Sequence, residues 1–454
     1  MDGKFARYRD EIINGDITKT LLTLGWPLMI GNLLHTMYNV IDTFWLGKLG
    51  KEALAAPTNT WPIVSLMMAL GMGAAVAAVA LVSQYMGAEK KEMANKAATQ
   101  VFVFMFIIAI VISILGFIGS PFILKSISVP PSIFDLVLEY IRIIFIGMPF
   151  MFATFAFSFI LRGLGDTRTA VKIMGGSLIM NMILDPLMIF GIGFFPRLEV
   201  TGAALATVIS RAFVGTIAIY LLFSGKVGIK LERKYMMPEK KFIKKVLSIG
   251  MPASIGQSAV AFGFIILMKF VNEIGVVAIG AYGVGNRLTG ILFTVTQGIT
   301  MANTTIVGQN LGADQVERAE KSVWRSIGIV FSILAVGSVA IFISRQWIFK
   351  VFIDDPAVIA EGTNFVKIFV FSLPFFSVFQ TVGSTFQGSG QTKYQMVIGL
   401  IRLWGLRLPL CYLFAFILSK GATGIWLGMM LSNILGSLVA LGFLRTGKWK
   451  KTVI

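Results

Sequence analysis

Residues 20–47 read TLLTLGWPLMIGNLLHTMYNVIDTFWLG, a mostly apolar stretch whose only charged residue is Asp42. A helix needs roughly 20 residues to cross about 30 Å of hydrocarbon, so this stretch is long enough to span a membrane. The whole chain has the same character: 56% of its 454 residues are hydrophobic and 14% are charged. Soluble proteins are about 25% charged, so the composition excludes a soluble globular protein.

Twelve apolar runs of this kind follow one another along the chain. No alternation of apolar and polar residues competes with them, so a membrane β-barrel is excluded. The sequence predicts an all-α integral membrane protein with spans at about 20–47, 53–85, 95–124, 133–161, 169–195, 201–224, 243–274, 278–310, 322–348, 358–387, 393–418 and 422–444.

Basic residues define the orientation. The net charge is +18, and most of the lysines and arginines fall in the loops that share one side with both termini. Cytoplasmic loops are enriched in such residues, so both termini are predicted to be cytoplasmic, and no nucleic-acid partner is expected. Eight basic residues between 226 and 245 mark a cytoplasmic linker, taken as 225–242, between domains at 1–224 and 243–454. A basic arm that binds anionic lipid is an equally good interpretation of this segment.

The two halves of the chain are copies of each other. A shift of 225 residues aligns SQYMGAEKKEMA at 83–94 with GQNLGADQVERA at 308–319, and LRGLGDTRTA at 161–170 with FQGSGQTK at 386–393. Each half has six spans, an even number, so the two repeats are parallel. Transporters built from such repeats bind substrate near the membrane midplane, which makes a secondary transporter the default interpretation. The phosphate-binding pattern GxxxxGK[ST] is absent from the sequence, so ATP is not expected to drive it.

Two carboxylates lie deep within predicted spans, Asp42 in the first and Asp185 in the fifth. Ionisable residues inside a membrane are costly and indicate function by default. At the 225-residue offset their counterparts are Leu267 and Leu410, so the charges belong to the N-terminal repeat alone.

The neighbours of Asp42 form a polar stripe on one helix face. His35, Tyr38, Asn39 and Asp42 occupy positions i, i+3, i+4 and i+7. Lipid cannot satisfy such a stripe, so it must face protein or water. Pro27 precedes the stripe and is predicted to permit a bend, as a helix hinge.

Oxygen-bearing side chains also lie on the fifth and sixth spans. Asn181 and Asp185 are four residues apart, and Thr207 lies in the small-residue run TGAALAT. Together with Asp42 they supply the all-oxygen ligands that suit a hard cation. We therefore predict a cation-coupling site at Asp42, Asn181, Asp185 and Thr207, which would hold Na⁺ if the coupling ion is sodium.

Structural roles remain open for several of these residues. One aspartate could form a structural ion pair with Arg211 or Arg142, and His35 could be a packing residue or a proton shuttle. Arg402 and Arg407 receive no function, because long basic side chains can reach the membrane interface from within a span.

At these residues the chain resembles the multidrug and toxic compound extrusion (MATE) transporters. The resemblance rests on residues 25–50, on NMILDP at 181–186, on EVTGAALAT at 199–207, and on the repeated motifs quoted above. It implies a V-shaped pair of six-helix bundles that exports bulky, often cationic compounds in exchange for H⁺ or Na⁺. The pattern is most similar to the branch whose ion site lies in the N-terminal bundle.

The resemblance also implies positions for the substrate cavity. Tyr38, Asn39 and Tyr140 match cavity positions of that branch, and His35 replaces the glutamine expected beside them; Ser158 is added as a further candidate. The other branch carries acids in its C-terminal bundle, but the corresponding positions here are Val260 and Phe376.

These observations predict a secondary antiporter that exports amphipathic, often cationic organic compounds by alternating access. The alternative is a lipid-linked oligosaccharide flippase of related fold. One Cys and one His exclude an internal disulfide and disfavour an enzyme, and no cofactor is expected beyond the coupling ion. We expect a monomer in the plasma or inner membrane, with small organic substrates and membrane lipids as its partners.

Overall fold

The computed structural model describes residues 2–454, except for the side chains of Asp2, Asn39 and Lys51. Its helices in chain order are α1 (Asp2–Ile13), α2 (Ile17–Leu49), α3 (Lys51–Gly87), α4 (Lys91–Ser126), α5 (Pro131–Leu164), α6 (Thr167–Phe190), α7 (Glu199–Ser224), α8 (Lys240–Ile274), α9 (Val276–Gly312), α10 (Val316–Phe352), α11 (Pro356–Phe369), α12 (Leu373–Gly388), α13 (Thr392–Leu400), α14 (Leu408–Tyr412) and α15 (Gly421–Arg445). Turns of 3₁₀ helix cover Arg233–Tyr235, Val370–Ser372 and Lys448–Lys450, and π-helical turns cover Ile401–Arg407 and Leu413–Ile417.

The predicted all-α membrane fold is confirmed. Within the described residues, eleven helices are long and apolar enough to cross a membrane, counting α11 with α12 and α13 with α14 as single spans. The helix α2, which contains Asn39, is 33 residues long and accounts for the first predicted span.

The duplication is visible in the backbone as well as in the sequence. Gly50 and Gly275, 225 residues apart, precede α3 and α9 with φ of +125° and +124°. Both values lie in the region that favours glycine, so each repeat uses the same turn to enter its second span. Glu89 and Asp314 are likewise left-handed, with φ of 60° and 58°.

The chain folds into two compact units, and each takes a segment from the other repeat. The first unit comprises residues 2–10 and Ile30–Gly250, and the second comprises Glu11–Met29 and Met251–Ile454. Helix α2 therefore begins in the second unit and continues in the first, whereas α8 begins in the first unit and continues in the second. The predicted limits 1–224 and 243–454 follow the sequence repeat. The compact units differ from them in that Glu11–Met29 lies in the second unit and residues 243–250 lie in the first.

Each exchanged segment is tightly packed where it lies. In the second unit, Ile12 and Leu21 are buried in one apolar cluster with Ile299, Ile306 and Val330. In the first unit, Gly250 approaches Gly73 so closely that an added Cβ would lie 2.9 Å from the Gly73 carbonyl carbon. A glycine is needed there because backbone meets backbone.

The basic segment between the repeats is held against α4 by hydrogen bonds. The Asn95 side chain accepts from the backbone N–H of Lys230 (3.0 Å) and donates to the Glu232 carboxylate (2.9 Å). The Gln100 side chain donates to the carbonyl of Met237 (2.7 Å) and accepts from the backbone N–H of Glu239 (2.9 Å). The predicted linker is thus part of the first unit's surface.

Candidate functional site

The four predicted coupling residues lie together in the first unit. Asn181 and Asp185 are fully buried on α6, one turn apart, and the Asn181 Nδ2 donates to Asp185 Oδ1 at 2.9 Å. The Thr207 hydroxyl on α7 donates to Asp42 Oδ2 on α2 at 3.4 Å. The carboxyl group of Asp42 is near enough to Asp185 and Asn181 to interact with them electrostatically.

Small residues on α7 make this approach possible. An added Cβ at Gly202 would lie 2.5 Å from the Met188 carbonyl oxygen on α6, so the two backbones are in direct contact there. This contact brings α7 close to α6 one to two turns before Thr207.

Among the described residues, several oxygens in this part of the first unit are buried without a hydrogen-bond partner. They are Asp42 Oδ1, Asp185 Oδ2, Asn181 Oδ1 and Ser210 Oγ. A buried polar atom without a partner costs free energy, so these oxygens are available to accept a proton or to contact a cation. Ser210 was not predicted from the sequence. It lies three residues after Thr207, on the same face of α7, and this spacing could have indicated it.

The alternative of a structural ion pair is not supported by the described contacts. No lysine or arginine nitrogen among the described residues lies within 4.0 Å of a carboxylate oxygen of Asp42 or Asp185. The Arg211 guanidinium lies over the Tyr38 ring at 5.2 Å and contacts Met151 Sδ. Arg142 lies over the ring of Phe117 at 5.1 Å.

Two of the predicted cavity residues adjoin the cluster. Tyr38 is buried, and its hydroxyl donates to the Thr207 carbonyl at 3.5 Å. Tyr140 on α5 is buried as well, near enough to interact electrostatically with Asp42 and Tyr38.

For the other predicted cavity and hinge residues, no contact with the cluster is described. His35 is exposed, and the Asn39 side chain lies outside the described residues. Ser158 is half-buried and donates to the Thr154 carbonyl of its own helix at 2.9 Å. Pro27 is buried inside the continuous helix α2. It lies two residues before Met29, the last residue of α2 that belongs to the second unit.

The second unit is built differently at the equivalent positions. Leu267 is fully buried in an apolar core. Val260 and Phe376 line a cavity of about 300 Å³ that lies wholly within this unit. Arg402 and Arg407, for which no function was predicted from the sequence, are only 3% and 4% exposed, and both line this cavity.

The chemistry of this cluster suits a proton or a small cation. Two carboxylates near each other repel when both are ionised, and a proton or Na⁺ between them would remove that repulsion. Asp42, Asp185, Asn181 and Thr207 would offer such an ion a mixture of carboxylate, amide and hydroxyl oxygens. Among the described residues no group of three or more His, Cys, Asp or Glu side chains is placed to hold a metal ion.

Comparison with known proteins identifies the relatives of this chain. A family model described as MatE matches residues 27–187 and 252–413, one match in each repeat. The probable multidrug resistance protein NorM of Thermotoga maritima is 28% identical over 99% of this chain and 97% of its own length. The FAD transporter of Shewanella oneidensis is 27% identical over 94% of each protein. A crystal structure of MATE in the bent conformation has a TM-score of 0.90 and 24% identity, and the match covers 97% of this chain and 98% of that one.

Proposed function

The chain belongs to the MatE family of multidrug efflux transporters, and we propose that it exports amphipathic organic compounds by antiport against H⁺ or Na⁺. The observation that carries this proposal is the group of buried oxygens around Asp42 and Asp185 in the first unit, which have no hydrogen-bond partner among the described residues. The membrane-spanning part of a protein retains such costly groups where they serve transport.

Coupling requires that the ion and the substrate favour different conformations. An ion shifts a conformational equilibrium only by its difference in affinity for the two states. We propose that a cation at Asp42 and Asp185 lets α2 pack closer to α6 and α7, with Pro27 as the hinge. The cavity that His35, Tyr38, Asn39, Tyr140 and Ser158 are proposed to line would then contract and release its substrate.

We propose a broad substrate class, because the relatives of this chain are named for different substrates. One relative is named as a probable multidrug resistance protein and another as an FAD transporter. The comparisons give no support to a lipid-linked oligosaccharide flippase. We place the protein in the cell membrane as a monomer, with both termini in the cytoplasm, because its basic loops lie on the side of the termini.

The test is dye efflux from proteoliposomes that contain the purified full-length protein. A proton gradient and a sodium gradient are imposed separately, with a permeant lipophilic cation dye as substrate. Efflux that follows one gradient and stops when that gradient is collapsed supports antiport. Dye movement that is indifferent to both gradients would contradict it.

A further inference from the structure

The cavity in the second unit combines aromatic walls with a positive charge. Its volume is about 300 Å³. Aromatic rings contribute much of the wall, namely Phe264, Phe293, Phe365, Phe369, Phe376 and Phe379. Arg402 and Arg407 are the charged residues among the described residues that line it, and the polar remainder is neutral amide and hydroxyl groups. No aspartate, glutamate or lysine of the described chain contributes to this lining.

Both arginines lie deep in the membrane-spanning part of the chain. They fall near the middle of the span Thr392–Ile417, and Asn433 falls near the middle of Gly421–Arg445. The π-helical turn Ile401–Arg407 carries both of them. Such turns break the regular helix spacing and are frequent at functional sites.

The hydrogen bonds of the two guanidinium groups go to neutral partners. Arg407 donates from Nε to Ser432 Oγ at 2.9 Å and from Nη2 to Asn433 Oδ1 at 2.5 Å. Arg402 Nη1 donates weakly to the same Asn433 oxygen at 3.4 Å, and its Nε is buried with no partner in the described part of the chain. The Arg402 guanidinium also lies over the rings of Phe379 (4.4 Å) and Phe376 (4.9 Å).

No negative charge balances this pair. Within the described residues, no carboxylate oxygen lies within 4.0 Å of either guanidinium group. An arginine stays protonated in proteins, so two like charges are buried side by side. Buried charges are normally paired, because an unpaired ion in a low-dielectric interior is very costly.

The first repeat offers an internal comparison. At the 225-residue offset, Arg402 and Arg407 correspond to Ser177 and Met182, and Asn433 corresponds to Val208. The arginines therefore arose or were kept in one copy only, as the aspartates were in the other. A role in holding the shared fold would be expected in both copies, so the asymmetry favours a role toward a ligand.

We propose that the cavity of the second unit binds an organic anion. A carboxylate or phosphate group would accept hydrogen bonds from Arg402 and Arg407, whose planar, multi-donor groups match such oxyanions. The aromatic or otherwise apolar body of the ligand would pack against the phenylalanine rings. This site is separate from the cation cluster of the first unit and extends the range of substrates to compounds that carry a negative charge.

The test uses two fluorescent probes of nearly equal shape, 9-anthracenecarboxylate and the neutral 9-anthracenemethanol. Binding to purified full-length protein in detergent is measured by equilibrium dialysis at pH 7.5, with protein-free micelles as the blank. No ion gradient is present, so the result does not depend on whether Asp42 couples transport. Competition by benzoate and by phenyl phosphate then distinguishes a carboxylate site from a phosphate site.

We expect the wild type to bind the anionic probe at least tenfold more tightly than the neutral one. Arg402→Gln and Arg407→Gln should each remove most of that preference while leaving the affinity for the neutral probe unchanged. Arg402→Lys should keep part of it, and Arg142→Gln, which removes an arginine from a span of the first unit, should keep all of it. A purely structural role for the arginines would not change the ratio of the two affinities.

Equal affinity of the wild type for the two probes would overturn the proposal, and this measurement needs no variant. A preference that survives in both glutamine variants would overturn the assignment to these arginines. Thermal unfolding of each variant shows whether it is folded, and a variant that does not fold is replaced by the lysine substitution at the same position.

Discussion

Asp42 and Asp185 lie on different helices of the first unit, yet their carboxyl groups are near enough to interact electrostatically, and we propose that they share one proton or one cation. Their counterparts Leu267 and Leu410 cannot do this. The chemical difference between the repeats is therefore concentrated in a few side chains.

We expect Asp42→Asn and Asp185→Asn each to abolish gradient-driven efflux while the protein is still produced and inserted. An amide keeps the size of the side chain but removes the charge that attracts the ion. The measurement is dye efflux from proteoliposomes, normalised to the amount of protein. Asp135→Asn, an exposed acid at the start of α5, is the matched control. Wild-type efflux by both single variants would contradict the coupling role.

The sequence predicted the members of this cluster because oxygen-bearing residues are conspicuous in apolar spans. Asp42, Asn181, Asp185 and Thr207 meet as expected. Ser210 was not predicted, since a serine within a run of small residues has no distinctive pattern. The burial of Arg402 could not be predicted either, because a long side chain can turn toward lipid headgroups or toward protein, and only the packing decides.

At the scale of helices, a close glycine contact fixes the position of the first part of α8 in the first unit. Gly250 on α8 meets the backbone of Gly73 on α3, while Gly256, six residues later, has only ordinary contacts at 3.6 Å. The first position has no space for a methyl group, and the second has.

We expect Gly250→Ala to destabilise the protein by about 1–3 kcal/mol, the usual cost of adding a methyl group to a filled interior. The neighbouring atoms are backbone and cannot move aside as a flexible side chain could. Thermal unfolding in detergent is the measurement, and Gly256→Ala is the control in the same helix. Equal melting temperatures for the two variants would show that the contact with Gly73 is not tight.

Hydrogen bonds from α4 hold the basic segment that follows α7. We expect Gln100→Ala to increase the rate of trypsin cleavage at Arg233 and Lys234 several-fold, because the backbone that follows the turn loses its anchor at Met237 and Glu239. Ser126→Ala, in the same helix but bonded only to its own turn, should leave the rate unchanged. Unaltered cleavage of the Gln100 variant would mean that other contacts hold the segment.

At the scale of the whole molecule, an ion bound in the first unit should compete with the substrate. By linkage, if the ion lowers the affinity for substrate, the substrate lowers the affinity for the ion by the same factor. We expect the equilibrium affinity for a cationic dye to fall when protons or sodium are added, and to become insensitive to them in Asp42→Asn. The measurement is dye binding across pH, with and without sodium. A constant affinity of the wild type under all these conditions would rule out competition.

The architecture of two repeats followed from the 225-residue offset, but the exchange of segments between the units did not. The two repeats carry the same apolar pattern and the same glycines, Gly25 with Gly250 and Gly73 with Gly298. The sequence alone therefore does not show whether the start of α2 packs in the first or in the second unit, and the same holds for the start of α8. The choice depends on packing details such as the burial of Ile12 and Leu21 against Ile299 and Val330.

That exchange has a consequence for expressing the protein in pieces. A polypeptide cut between Met236 and Met237 would give two fragments. The first fragment would lack the start of α8, which packs in the first unit, and the second fragment would lack Glu11–Met29, which packs in the second unit. Neither fragment should accumulate when produced alone, whereas the two together should reassemble by mutual complementation. Co-purification of the second fragment with a tagged first fragment would reveal this, and stable accumulation of either half by itself would refute it. The duplicated halves, although copies of an ancestral bundle, would then be obligate partners within one chain.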